Sequence, residues 1–134
     1  MAGKTQDQAD AVLGTARGAA MAAWTPWVCL FSAAPADDSA AGTELSGGGY
    51  SRVSVSLDPP VDASGVKLAR RCYVDEVVVF PTATVDWAEA VAWGIKDASS
   101  GGTLRYWKAL PANRTIPAGD RLELTAGTVY IEEG

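Results

Sequence analysis

Few residues in this sequence are suited to acid–base or metal chemistry. The chain contains no histidine, and histidine is both the most frequent general base and the most frequent metal ligand. Asp37-Asp38 and Asp75-Glu76 are carboxylate pairs, but adjacent residues on a strand point to opposite faces, and acids in a loop are usually solvated. We therefore predict that the chain has no catalytic residues and is not an enzyme.

Two other stretches resemble binding motifs only weakly. The segment DASSGG, Asp97 to Gly102, has a single carboxylate and lacks the later bidentate acid of a calcium loop, so a turn explains it better. The run Gly47 to Gly49 is followed by neither a helix nor a Lys-Ser/Thr pair, which disfavours a phosphate-binding loop. We expect no metal and no other cofactor.

Length and charge bound the class of protein. The 134 residues fit a single domain, 1–134, and the 14 glycines and 7 prolines predict many turns. A net charge of -5, with only Arg70 and Arg71 adjacent among the basic residues, argues against nucleic acid as a partner. The apolar stretch from Gly18 to Pro35 is interrupted by polar residues and proline, so we predict no membrane helix.

The two cysteines, Cys29 and Cys72, lie inside apolar segments that resemble strands. Their separation does not match a metal site, and two cysteines do not imply a disulfide framework. Free thiols are favoured, while a single cross-strand disulfide stays open as the alternative.

One helix is predicted, over residues from about 5 to 22, followed by a β domain from about 25 to 134. Thr5 and Gln8 have the spacing of a capping box. Gly14 and Gly18 weaken the helix, so it should need docking against the domain. The face expected to dock carries four apolar residues: Val12, Leu13, Ala16 and Ala20.

The remaining segments have the patterns of β-strands. WVCLF is a short apolar run typical of a buried strand. The glycines at 47–49 permit positive φ where the chain turns into the alternating segment YSRVSVSL. Further strands are expected in RRCYVDEVVVF, AVAWGIK, TLRYWKAL, DRLELT and TVYIEE. The sequence thus predicts a mainly β fold, a two-sheet β-sandwich or jelly-roll-like domain with one short N-terminal α-helix.

The hairpin formed by AVAWGIK and TLRYWKAL suggests a candidate interface. With Lys96 opposite Thr103, Ile95 faces Leu104 and Trp93 faces Tyr106 on the core face. Trp107 then lies on the other face beside small residues, and we expect the helix or a neighbouring subunit to cover it. The candidate interface residues are Trp107, Arg105, Arg70 and Arg71.

Several segments, in this order, carry a family resemblance: LFSAAP, GTELSGGGYSRVSV, FPTATVDWAEAVAWGIKDASSGGTLRYWKAL and AGDRLELTAG. Together they resemble a family of small bacteriophage virion structural proteins labelled tail fibre or head (capsid) decoration proteins. The segment from Asp58 to Asp75 departs from this pattern, because charged residues stand where a small neutral linker is expected.

This resemblance implies a noncatalytic virion subunit, assembled in the host bacterial cytoplasm and present in repeated copies. Its expected partners are other copies of itself, as a homotrimer, and a major capsid or tail protein. Unpaired strand edges also favour self-association. The alternative is a carbohydrate-binding module that recognises a host surface glycan, for which we expect an exposed aromatic site.

Overall fold

The computed structural model describes residues 3–16, 18, 23–35, 42–62 and 70–133. These residues form one helix and eleven strands, which confirms the mainly β class with a single N-terminal helix. The elements are β1 (Gly3–Lys4), α1 (Gln6–Ala16), β2 (Trp27–Ala33), β3 (Thr43–Glu44), β4 (Val53–Ser54), β5 (Val61–Asp62), β6 (Arg70–Tyr73), β7 (Val78–Val79), β8 (Ala90–Lys96), β9 (Leu104–Arg114), β10 (Glu123–Leu124) and β11 (Tyr130–Glu133).

Three antiparallel sheets form the β domain. The largest has the order β1-β9-β8-β2-β3, with β4 also paired to β2. The second consists of β10 and β7, and the third has the order β11-β6-β5. Residues of all three sheets meet in one large cluster of buried side chains, which gives a sandwich-like arrangement around a shared core.

The strand β2 is buried on both sides, as its unbroken apolar sequence predicts. Val28 and Leu30 belong to the large core, whereas Cys29 and Phe31 belong to a second, smaller cluster on the opposite face of the sheet. Alternate residues of a strand point to opposite faces, so β2 separates the two clusters. Cys29 and Cys72 are both free thiols, which confirms the favoured prediction for the cysteines.

The helix α1 is held by its first turn. Thr5 is buried, its hydroxyl donates a hydrogen bond to the Leu104 carbonyl at 2.6 Å, and its Oγ1 accepts one from the Gln8 amide at 3.3 Å. The Thr5 half of the predicted capping box is therefore present. The reciprocal half is absent, because the Thr5 amide donates to the Arg105 carbonyl and the buried Gln8 Oε1 has no hydrogen-bond partner among the described residues. The predicted docking face was wrong in part, because Leu13 is 62% exposed. Of the residues predicted to extend the helix, 17 and 19–22 lie outside the described ranges.

The predicted hairpin of β8 and β9 is confirmed, but its register was wrong by two residues. Ile95 pairs with Tyr106 and Trp93 with Lys108, while Lys96 pairs with Leu104. The register shifts between Ile95 and Lys96, so β9 has one extra residue there, a β-bulge. The bulge turns Leu104 away from the large core and into the smaller cluster.

The glycine run at 47–49 has positive φ at all three positions, 73°, 59° and 84°, as predicted for the turn before β4. Only Val53–Ser54 of the alternating segment is hydrogen-bonded as a strand. The alternation still decides burial, because Val55 is buried and Ser54 and Ser56 are exposed. Within the described part of the chain, no helix is long and apolar enough to cross a membrane.

Candidate functional site

The four residues predicted to form an interface lie on two different sheets. Arg105 and Trp107 belong to β9 in the largest sheet, and Arg70 and Arg71 belong to β6 in the three-stranded sheet. The structure therefore divides the predicted interface into two pairs, each with its own surroundings.

Arg105 is engaged within its own subunit. Its guanidinium donates to Asp97 Oδ2 at 2.9 and 3.2 Å and lies 5.7 Å from the centre of the Trp24 ring. The other oxygen of Asp97 accepts a hydrogen bond from the Thr103 amide at 2.8 Å. Asp97 thus fixes both ends of the loop that joins β8 to β9, and Arg105 holds Asp97 in place.

Trp107 is half-buried and packs against the smaller cluster, which contains Cys29, Phe31, Ala92 and Leu104. It lies on the face opposite the large core, as predicted. Its partner across β8 is Gly94, and its partner across β1 is Gly3. Part of its cover therefore comes from its own sheet, so the expectation that the sheet would leave the ring to the helix or a neighbouring subunit was wrong in part.

Arg71 and Arg70 also have partners inside the subunit. Arg71 lies 4.4 Å from the Tyr130 ring centre, and its Nε is 3.3 Å from Oε1 of the buried Glu132. That contact is ionic but poorly aligned as a hydrogen bond, since neither atom has a hydrogen-bond partner. Arg70 is exposed and donates to the Pro60 carbonyl at 2.8 Å.

A polar cluster that the sequence reasoning missed joins the glycine run to the hairpin loop. Glu44 accepts two hydrogen bonds from Arg52, at 2.8 and 2.9 Å, and one from the Tyr50 hydroxyl at 2.8 Å. Arg52 also donates to the carbonyls of Ala98 and Gly101, at 2.7 and 2.8 Å. A single guanidinium therefore ties β3, the segment before β4 and the hairpin loop together.

These contacts lower the pKa of two carboxylates. Burial acts to raise the pKa of Glu44, but hydrogen bonds from Arg52 and Tyr50 outweigh it and hold the pKa below its ordinary value of 4.5. Burial also acts to raise the pKa of Asp97, but hydrogen bonds from the Thr103 amide and Arg105 outweigh this effect. The pKa of Asp97 therefore lies below its ordinary value of 3.8. Burial also raises the pKa of the Cys29 thiol to about 12, which leaves it unreactive near neutral pH.

We expect stability to fall on acidification because of these two carboxylates. A group whose pKa is lower in the folded chain stabilises it above the unfolded pKa, and that contribution is lost as the pH falls through the folded value. The free energy of unfolding should therefore decrease below about pH 4.5, as measured by urea unfolding between pH 7 and pH 3. Glu44→Gln with Asp97→Asn should flatten this dependence, and an unchanged slope in the double variant would contradict the assignment.

The cluster borders a shallow cleft of about 380 Å³, lined by Glu44, Tyr50 and Arg52 of the cluster, by Leu45, Gly47 and Gly101, and by four serines: Ser46, Ser51, Ser99 and Ser100. All eleven aromatic residues of the chain lie in the described ranges, and none is exposed. Among the described residues, no three Cys, Asp or Glu side chains are grouped so as to hold a metal ion.

The exposed apolar residues are mostly valines: Val61, Val77, Val79 and Val85, together with Leu13. Val77 and Val79 are two positions apart at β7, so they share one face of that strand, and Val78 between them is buried in the core. An exposed pair of β-branched residues beside a strand edge is a feature typical of contact surfaces.

Comparison with known families gives one match. A family model described as Podophage GP4 fiber I protein gp80 matches residues 5–132. The match covers α1 and all the strands except β1 and the last residue of β11, and it includes the contacts described above apart from the pairing of β1 with β9. A search of curated proteins gave no match.

Proposed function

The chain belongs to the podophage GP4 fiber I protein gp80 family, and from this membership we propose that it is a noncatalytic subunit of a bacteriophage tail fibre. The observation that carries the proposal is the extent of the match, 128 residues (5–132) of a 134-residue chain. A match of that length includes the whole folded domain rather than a shared motif, so the role of the family is expected to apply to the chain as a whole.

The site geometry supports a structural role. Three arginines form ion pairs with carboxylates of the same subunit: Arg52, Arg71 and Arg105. Their charges therefore stabilise loops and sheets and are not free to bind a ligand. Fixed loops and a shared core suit a subunit that transmits load through repeated contacts. The proposed partners are further copies of this chain, with the homotrimer as the expected state, and a tail protein.

The two roles named in the resemblance, tail fibre and head decoration, predict different numbers of copies of the protein per particle. We expect a few copies to a few tens of copies per particle if the chain forms a tail fibre, because fibres occur at one vertex. Quantitative mass spectrometry of purified particles, with the major capsid protein as internal standard, measures this number. A ratio near one copy per capsid subunit would contradict the fibre and favour decoration of the shell.

The carbohydrate-binding alternative has less support. Sugar sites on β domains usually present an aromatic ring on which the sugar stacks, and every aromatic ring here is buried or half-buried. The cleft is lined by Leu45 and Tyr50 as well as by serines, but the Tyr50 ring already packs against the Phe80 and Trp87 rings. Recognition of a glycan by this subunit would therefore depend largely on hydrogen bonds, which compete poorly with water.

A further inference from the structure

The outer edge of β7 pairs with no other strand of the described residues. β7 pairs with β10 in the register Val79 to Glu123 and Val78 to Leu124, and the Phe80 amide donates to the Leu122 carbonyl at 3.0 Å. In an antiparallel pair, hydrogen-bonded and non-hydrogen-bonded positions alternate. Since Phe80 bonds to β10, so does Val78, and the amides and carbonyls of Val77 and Val79 point away from β10.

Nothing in the described ranges pairs with that edge. No backbone hydrogen bond among those residues reaches Val77 or Val79. Their side chains are 51% and 38% exposed, whereas Val78 and Phe80 are buried. The edge therefore presents unpaired main-chain groups beside apolar side chains, a combination that favours the addition of a strand.

We propose that the β7 edge binds the β7 edge of a second copy of this chain, antiparallel and about a two-fold axis at Val78. This inference rests on the proposed role as a repeated fibre subunit. Because a two-fold contact pairs two copies and cannot close a trimer, it is a second contact, separate from the interface within the expected homotrimer. In this register Val77 of one copy faces Val79 of the other. Both are positions whose main-chain groups point outward, so two pairs of hydrogen bonds form and the sheets join as β10-β7-β7-β10.

The charges along the edge are compatible with this pairing. With the axis at Val78, Glu76 faces Phe80 of the second copy and Asp75 faces Pro81, so no acid faces an acid. The four exposed valines come together on one face, where β-branched cross-strand pairs are favourable.

Pro81 limits the length of the contact. It has no amide proton to donate, so pairing ends after Val77 and Val79 on each side. Four hydrogen bonds and a small apolar face predict a weak contact, with a Kd of about 10 µM to 1 mM. Such a contact suits a fibre, where subunits held at high local concentration gain from many weak contacts.

Sedimentation velocity of the full chain over a concentration series tests this proposal. We expect a reversible association that doubles the mass of the sedimenting unit as the concentration rises. Val77→Lys with Val79→Lys should raise the Kd of this step at least about tenfold, because like charges would face each other across the axis. Val61→Lys is the matched control, since Val61 is 48% exposed on another strand. The Kd for self-association of this variant should equal that of the unmodified chain. Circular dichroism melts check that each variant is folded.

Amide hydrogen exchange by NMR gives a second measurement on the unmodified chain. The amides of Val77 and Val79 should gain protection as the concentration rises, whereas those of Val78 and Phe80 should be protected throughout. A sedimenting unit whose mass does not double by about 1 mM, a doubling that persists unchanged in the lysine variant, or amide exchange at Val77 and Val79 that does not depend on concentration would overturn the proposal. Any of these results would leave the fibre role to be decided by the particle copy number.

Discussion

Replacing Trp93 by alanine should lower the free energy of unfolding by about 3–5 kcal/mol, as large truncations in protein cores do. Trp93 is among the largest fully buried side chains of the large core. Its main chain lies between β2 and β9, opposite Leu30 and Lys108, and its ring meets the Tyr130 ring at 6.4 Å. The surrounding strands belong to different sheets, so the structure cannot close the resulting cavity easily. Urea unfolding followed by circular dichroism measures the change.

Trp107→Ala is the matched control for this variant. The residue type and the hairpin are the same, but Trp107 is half-buried and packs against the smaller cluster on the opposite face. We expect a loss of about 1.5–2.5 kcal/mol, in proportion to the smaller buried area. Equal losses for the two variants would show that the two faces of the hairpin are packed equally, contrary to the structure.

Replacing Arg52 by methionine should cost about 2–4 kcal/mol of stability. The change removes two hydrogen bonds from the Glu44 carboxylate, which keeps only the Tyr50 hydroxyl and the Lys96 ammonium, 3.5 Å from Oε1. The side chain of Arg52 is only 7% and that of Glu44 only 18% exposed, and removal of one partner from such a pair is strongly destabilising. It also removes the donors to the Ala98 and Gly101 carbonyls. Urea unfolding gives the magnitude, and the loop from Asp97 to Gly102 should exchange its amides faster.

Two comparisons separate the ion pair from general effects of losing an arginine. Arg121→Met removes the exposed pair with Glu123, whose side chains are 57% and 49% exposed, and it should cost less than about 1 kcal/mol. Adding Glu44→Gln to Arg52→Met should recover part of the loss, because the unpaired charge disappears. Additive losses, or an Arg121 variant as unstable as the Arg52 variant, would contradict the role given to Arg52.

Local sequence pattern was sufficient to identify β2, β8 and β9, but not the short strands β1, β3 and β5. It also gave the correct face for most of the hairpin, with Leu104 as an exception. The alternation in AVAWGIK places Trp93 and Ile95 on one face whatever the exact register, so the core face and the position of Trp107 were predictable. The pairing register of β8 and β9 could not be predicted, because it depends on the bulge in β9 opposite Ile95 and Lys96. A bulge adds a residue without changing composition, and only pairing with the neighbouring strand reveals it.

The Arg52 cluster could not be predicted for a different reason. Arg52 is a polar residue on the solvent side of an alternating strand, a position where arginine is usually solvated. Its partners are Glu44 and two loop carbonyls 46 and 49 residues further along the chain. Which groups meet there is decided by how β2, β4 and β8 pair in the sheet, and this information is absent from any short window of sequence.

The hydrogen bond between Thr5 and the Leu104 carbonyl also constrains how the chain folds, because it spans 99 residues. An isolated helix of eleven residues is marginal in water, so α1 gains stability only when β9 is in place. Contacts between such distant residues raise the contact order and slow folding. During synthesis the N-terminal segment therefore leaves the ribosome long before its docking partner exists, and the attachment of α1 is expected among the last steps of folding.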